Sequence, residues 1–304
     1  MMSGTRAGTA KAVAIRTLVV GIIPLFLLCL PAGAGTSEPA KTIYFSAITL
    51  YHPIVMYQKY QPLMNYLSEN TPYRFELKLS QNYSDIIDFL KKDKVQVALL
   101  GGVTYLEARK KFKIRPILKP LGHDGKPCYR SVFITRIDKA KINTLRDLKG
   151  KSVAFASARS TSGYLSPLFE LYSKGGISLK ELKRYSNLKY HDAVAREVLR
   201  GDYDAGAVID SVANRFKTRG LKIIHISDPI PGLPFVVKDD ISPEIVVAIK
   251  KALLSLDYKK PEHRKIMEQW DEEFRYGFAE ASADDYEFIR HMIDYLKRSG
   301  VKLK

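Results

Sequence analysis

At 304 residues, with 46% hydrophobic and 27% charged residues, the chain can bury a large core and has the make-up of a globular protein, not of a disordered or fibrous one. A formal charge of +17 raises nucleic acid or an acidic membrane surface as a partner. The basic residues, however, are scattered singly and in pairs such as Lys91-Lys92, Lys110-Lys111, Lys250-Lys251 and Lys259-Lys260, beside acids on predicted helices. No aromatic-interleaved basic block and no zinc-finger spacing occurs, so nucleic-acid binding is set aside, and the positive field suits the capture of small anions.

Residues 1–34 read as a secretory leader. Arg6, Lys11 and Arg16 precede an apolar stretch over 17–30, and Pro31-Ala32-Gly33-Ala34 follows with the small residues of a cleavage site. About 14 apolar residues are too few for a span that needs roughly 20. Cys29 lies inside that stretch, after Leu27-Leu28, which lack the small residue lipid processing prefers. Cleavage is expected after Ala34. The mature chain then carries a formal charge of +14 and a single cysteine, Cys128, so no internal disulfide can form.

From there strand-like and helix-like stretches alternate. Residues 42–48 read as a buried strand, and Met56, Tyr60, Leu63, Met64 and Leu67 fall at helical spacing. A strand over 75–79, a short helix around Ile86, Ile87 and Leu90, a strand over 95–100 and a helix through Lys111 follow. A second run of the same kind starts near Ile142: a short helix and turn over 145–151, a strand over 152–156, a helical face at Leu165, Leu168, Phe169 and Tyr172 closed by Gly175-Gly176, a helix over 193–199, and strands over 204–209 and 222–226. Pro229, Pro231, Gly232 and Pro234 interrupt the pattern, and the last 60 residues read as mostly helical. Residues 131–135 and 235–237 look like a pair of strands crossing between two α/β units, each a mainly parallel sheet flanked by helices.

The stretch Ser160-Thr161-Ser162-Gly163 stands where a strand hands over to a helix. One hydroxyl suffices to cap a helix; three exceed that need, and hydroxyls beside unpaired helix N–H groups form a cup for an anion. If the hydroxyls are reserved for a ligand, replacing any of them by Ala weakens anion binding and leaves the empty protein's stability nearly unchanged. Tyr83 precedes a helix and Tyr129 precedes a strand; each can plug a gap or donate to an oxyanion. His191, at a helix start, can cap or donate. Asp210 ends a strand, where α/β sheets keep ligand groups, or caps the next helix.

In order along the chain, Tyr60-Gln61-Pro62-Leu63, Asn82-Tyr83-Ser84-Asp85, Val97-Ala98-Leu99-Leu100-Gly101, the segment Asp124 to Val132, Ser160-Thr161-Ser162-Gly163, His191, Asp202-Tyr203-Asp204-Ala205 and Pro229-Ile230-Pro231-Gly232-Leu233-Pro234 resemble the periplasmic phosphate/phosphite/phosphonate-binding proteins of ABC importers. The resemblance runs from about Thr42 to Leu256. It implies a two-lobed type II periplasmic-binding-protein fold joined by two crossover strands, with lobe 1 over 35–133 and 236–304 and lobe 2 over 134–235. It places oxyanion contacts on Tyr83, Tyr129, Ser160, Thr161, Ser162 and His191, with Asp210 as a candidate neighbour, and implies no metal and no cofactor. The two carboxylates that hold the ammonium of an aminoalkyl phosphonate fall on Ser211 and Leu233, so phosphate, phosphite or a small alkyl phosphonate is the expected ligand. A monomeric periplasmic receptor that delivers this ligand to a membrane permease is the leading expectation. A sensor component for a membrane signalling protein, or a receptor for another small oxyanion, is the alternative. An enzyme with Ser162 as nucleophile and His191 as base is disfavoured, since no Gly-x-Ser-x-Gly elbow or paired carboxylates accompany them.

Overall fold

The computed structural model describes residues 40–303, and the expected leader lies outside them. Strand β1 (Thr42–Ala47) leads into helix α1 (Pro53–Glu69), followed by β2 (Arg74–Leu77), α2 (Tyr83–Lys91), β3 (Val97–Leu99), α3 (Gly102–Arg109) and β4 (Ile114–Pro120). The chain then passes through β5 (Cys128–Tyr129) into β6 (Ser131–Arg136), β7 (Ser152–Phe155) and α4 (Ser166–Glu170), which is flanked by π-wound turns Thr161–Leu165 and Leu171–Gly175. Next come β8 (Arg184–Asn187), α5 (His191–Arg200), β9 (Ala205–Ile209), α6 (Asp210–Lys217), β10 (Leu221–Ile226), β11 (Ile230–Pro231) and β12 (Phe235–Lys238). Helices α7 (Pro243–Leu254) and α8 (Pro261–Met267), strand β13 (Phe278–Glu280) and helix α9 (Glu287–Arg298) complete it.

Two sheets form, in the orders β13-β4-β12-β3-β1-β2 and β10-β6-β9-β7-β8. Both are mixed, not mainly parallel. Strands joined by helical crossovers pair in parallel, as β1 does with β2 and β3, and β7 with β8 and β9. Strands that enter from the other half of the chain run the opposite way: β12 lies antiparallel to β3 and β4, and β6 antiparallel to β9 and β10. The strands expected to cross between the units are therefore interior strands of one sheet each. The crossing is made a few residues earlier, by the antiparallel ribbon of β5 and β11, where Tyr129 pairs with Ile230 and Cys128 with Pro231.

Local chemistry sets the helix ends that matter. Asn82 caps α2 and Asp85 reaches back to the Asn82 N–H, a capping box that fixes where Tyr83 begins the helix. Helix α5 stops at Gly201, whose φ of 90° is the left-handed conformation glycine adopts without strain. The C-terminal part is less helical than expected, because β13 adds to the first sheet beside β4. The turn Glu272–Phe274 is pinned by Phe274, whose ring packs against Tyr60 at 4.9 Å and Phe235 at 5.8 Å. Helix α9 packs against both α3 and α4. Among the described residues no helix is long and apolar enough to cross a membrane.

Candidate anion-binding site

The carboxyl ends of β1, β3, β7 and β9 are where open α/β sheets leave unpaired helix N–H groups and bind ligands. Here β7 hands over to Ser160, which caps the first π turn: the Leu165 N–H bonds to the Ser160 carbonyl at 3.1 Å, a five-residue span. Such widened turns recur at functional sites. Ser160 Oγ accepts from the Gly163 N–H at 3.0 Å. Gly163 is required by packing, since a Cβ there would collide with Ala156 Cβ and lie 2.8 Å from His191 Cε1 and 2.9 Å from Ser160 Oγ.

His191, at the start of α5, is wholly buried. The Ile209 N–H donates to its Nδ1 at 3.0 Å. That nitrogen therefore carries no proton, and a neutral ring must carry it on Nε2. Burial pushes the His191 pKa down to about 3, so the ring is neutral at any ordinary pH. Nε2 lies 3.1 Å from Ser160 Oγ and donates to it. Ser160 Oγ thus accepts two internal hydrogen bonds, and its own proton is left for a further acceptor. This geometry also removes the base from the enzyme alternative: the protonated Nε2 faces Ser160, not Ser162, and Nδ1 meets a backbone amide instead of a carboxylate.

The other predicted residues converge on the same place. Thr161 Oγ1 accepts from the Val103 N–H in the first turn of α3 at 3.1 Å, joining the two sheets' helix starts. The Ser162 carbonyl accepts from Ser131 Oγ at 2.7 Å, and Ser162 is buried. Tyr83 and Tyr129 are buried, their hydroxyls adjoining Ser160 and Thr161 respectively, and burial pushes both phenols well above their usual range, so they stay protonated donors. The Tyr83 hydroxyl adjoins Ser160 without forming a hydrogen bond of good geometry and has no other partner among the described residues. Asp210 is the first residue of α6, with Ile209 in the cap position, so its side chain does not cap that helix as one of its two foreseen roles required. Its two oxygens accept the Arg130 and Ser211 N–H groups, each at 3.0 Å, and it lines the cleft; burial raises its pKa to about 6.

Two groups of residues escaped sequence reasoning. Thr49 after β1 and Thr104 in α3 have buried hydroxyls without partners among the described residues. Thr104 and Thr161 Oγ1 both border the space beside Gly101, at 3.9 and 3.7 Å from where a Cβ would sit. The signal was present, for Gly101-Gly102-Val103-Thr104 after β3 repeats the strand, small residues, hydroxyl and helix of Ser160–Gly163. The second group is acidic. Glu272 and Glu273 line the cleft with Tyr129, Asp210, Ser211 and Leu233, and Ser211 Oγ donates to Glu273 Oε1 at 2.6 Å. Among the described residues no group of three or more His, Cys, Asp or Glu is arranged to hold a metal ion.

Two mixed sheets joined by a two-stranded crossing, with a cup of hydroxyls and helix N–H groups at the strand ends, define a solute-binding protein of the type II periplasmic class. The family model for the ABC transporter, phosphonate, periplasmic substrate-binding protein matches residues 45–286. The chain belongs to that family, and with it to the periplasmic components of ABC transporters. It is 26% identical over 276 residues to the phosphate-import protein PhnD of Mycolicibacterium smegmatis, covering 84% of this chain and 85% of that one. It is 27% identical over 282 residues to the phosphonates-binding periplasmic protein of Escherichia coli, covering 88% and 81%. Among solved structures it is similar to a binding-protein component of an ABC phosphonate transporter from Pseudomonas aeruginosa, with a TM-score of 0.76, 23% identity and coverage of 86% and 88%. It is also similar to PhnD1 of Prochlorococcus marinus in complex with methylphosphonate, with a TM-score of 0.74, 21% identity and coverage of 84% and 98%.

Proposed function

We propose that the protein, exported and trimmed near Ala34, captures a small phosphorus oxyanion and delivers it as a monomer to the permease of an ABC importer. Phosphate, phosphite and alkyl phosphonates are the candidate ligands. The halves 35–133 with 236–304 and 134–235 act as the two lobes that close on it. Tyr83, Tyr129, Ser160, Thr161, Ser162 and His191 form the cup, with Thr104 added from α3. One observation carries the reading: His191 is locked as a neutral Nε2–H donor onto Ser160 Oγ, which turns the Ser160 proton outward as a donor. A site of neutral donors binds an oxyanion through hydrogen bonds to the charged group, each contributing about 1.5–3 kcal/mol. The same lock removes His191 as a general base, which supports a site that binds its ligand without transforming it. Calorimetry on the mature protein with phosphate, phosphite, methylphosphonate and sulfate tests this, together with native mass spectrometry of protein purified from cells. Submillimolar binding of a phosphorus oxyanion in preference to sulfate is expected. Binding of none of them, or turnover of a phosphoester, would overturn it.

A further inference from the structure

An anion site walled by acids needs explaining, because a carboxylate beside an oxyanion repels it. Two of the four acids at this wall are accounted for by partners. Asp271 is buried and ion-paired with Lys59 Nζ at 2.6 Å, while its Oδ1 accepts the Glu273 N–H. Both oxygens of Asp210 accept backbone N–H groups. Glu272 is half-buried with no ion pair among the described residues, and burial and then Asp271 raise its carboxyl against the opposing fields of Arg275, Lys59 and Arg215. Among the described residues Glu273 has no cationic partner; the Ser211 hydroxyl on Oε1 is its side chain's hydrogen bond, and Glu273 lines the cleft.

We propose that Glu273 is a specificity residue that holds a neutral carboxyl against the ligand and donates its hydroxyl to the oxygen that projects from the cup toward α6. The inference rests on the proposed function above. The groups packed around Glu273 support it. On its own turn are Asp271 and Glu272, and on α6 are Asp210 and Arg215. From the first sheet's side come Lys59, Tyr51 and Tyr60, with Tyr129 from β5 and His123 at the mouth. Lys59 is committed to Asp271, and the Arg215 guanidinium lies over the Tyr51 ring at 5.1 Å. Burial first, and then the negative neighbours Asp271, Asp210 and Glu272, hold the Glu273 carboxyl well above the usual range. Tyr129, whose phenol adjoins Thr161 of the cup, lines the same cleft as Glu273. A ligand with four oxygens offers this donor an acceptor after three oxygens fill the cup. Phosphite offers hydrogen there and methylphosphonate a methyl group.

The test is calorimetric titration of inorganic phosphate and phosphite into the wild-type protein and Glu273→Gln from pH 5.5 to 9. The Gln variant keeps an oxygen for Ser211 and an N–H donor for the ligand, and carries no proton to lose. The ratio of phosphate dissociation constants, wild type over variant, cancels the ligand's own titration. It is expected to stay within about threefold of unity at pH 5.5 and to rise at least tenfold by pH 9. For phosphite, which lacks the fourth oxygen, Glu273→Gln should change the affinity at pH 5.5 by less than threefold. In the wild type, which needs no variant to fold, preference for phosphate over phosphite should shrink as pH rises beyond what the two ligands' own ionisation explains. A pH-independent phosphate ratio overturns the proposal. So does a variant that binds phosphate at least tenfold tighter at pH 5.5, which would mean an ionised Glu273 that repels. Loss of 2-aminoethylphosphonate binding alone in Glu273→Gln would assign the residue to an ammonium instead. A wild-type protein that binds neither phosphate nor phosphite removes the functional reading itself, and the proposal with it.

Discussion

Ser160→Ala is the most informative single change, because Ser160 Oγ stands at the meeting point of three bonds. The substitution leaves the buried Gly163 N–H and His191 Nε2–H without an acceptor. Each unsatisfied buried donor costs about 1–3 kcal/mol, and loss of a helix cap typically about 1 kcal/mol, with overlap between the two. A net loss of about 2 kcal/mol is expected in the empty protein, which in a domain this size lowers the melting temperature by roughly 5 °C. The ligand also loses one hydroxyl donor to a charged oxygen, about 1.5–3 kcal/mol, or roughly 10- to 150-fold in affinity. This revises the expectation that hydroxyls reserved for the ligand could be removed without cost to the empty protein. Scanning calorimetry without ligand and titration with phosphate read the two effects separately. A variant with reduced affinity and an unchanged melting temperature would refute the bonded role of Ser160. A variant with reduced melting temperature and unchanged affinity would reduce Ser160 to a cap.

Gly163→Ala should cost more than a surface change, about 1–3 kcal/mol, because the added methyl meets Ala156, the His191 ring and Ser160 at once, and anion affinity should fall with it; an unaltered melting curve and titration would contradict the packing at this turn. His191 sets an acid limit on stability. Its pKa is held near 3 in the folded protein, below its ordinary value, so its contribution is complete above about pH 6.5 and is lost as pH falls from there toward 3. Denaturant midpoints measured between pH 7 and 4 should drop more in the wild type than in His191→Gln, and equal slopes would show that His191 is not the buried neutral group described.

The elements that the sequence made legible are those whose local chemistry agrees with their final environment. The leading β-α repeats, the glycine stop at Gly201 and the hydroxyl run at Ser160 all announce themselves within a few residues, and the cup residues named from them do come together. Strand direction in β6 and β12 was not legible. It depends on which side of a sheet the returning chain enters, and that is settled by the β5–β11 ribbon of two residues each, too short to show a period. Thr104 was legible in principle and overlooked, since its hydroxyl stands second to the more conspicuous Ser-Thr-Ser. Glu273 could not be read. Trp270-Asp271-Glu272-Glu273-Phe274 has the look of an exposed acidic turn, and only the burial of Phe274 under Tyr60 and Phe235 brings it against α6, some 60 positions earlier in the chain.

That placement bears on which ligands the cleft refuses. Sequence comparison alone put Ser211 and Leu233 where aminoalkyl-phosphonate receptors put carboxylates, and suggested that an amine finds no partner. The structure moves acids into the neighbourhood without making them available to an ammonium. Asp210 spends both oxygens on backbone amides, Ser211 donates its proton to Glu273, and Leu233 is 3% exposed and apolar. With Glu273 neutral, a buried ammonium exchanges water for a methyl-lined wall and one carboxyl group. Burying a polar group unpaired costs about 1–3 kcal/mol and a charge costs more. Phosphate, phosphite or methylphosphonate should therefore bind at least tenfold tighter than 2-aminoethylphosphonate, a difference of about 1.4 kcal/mol. Leu233→Asp should narrow that gap by stabilising the ammonium and by repelling the oxyanion of the simpler ligands. Competition titration at pH 6, toward the acid side that favours a protonated Glu273, gives the cleanest comparison. Tighter binding of the aminoalkyl compound to the unmodified protein at that pH would mean that Glu273 or Asp210 is ionised in the complex and pairs with the amine, and the account of the acidic wall as a neutral donor would fall with it.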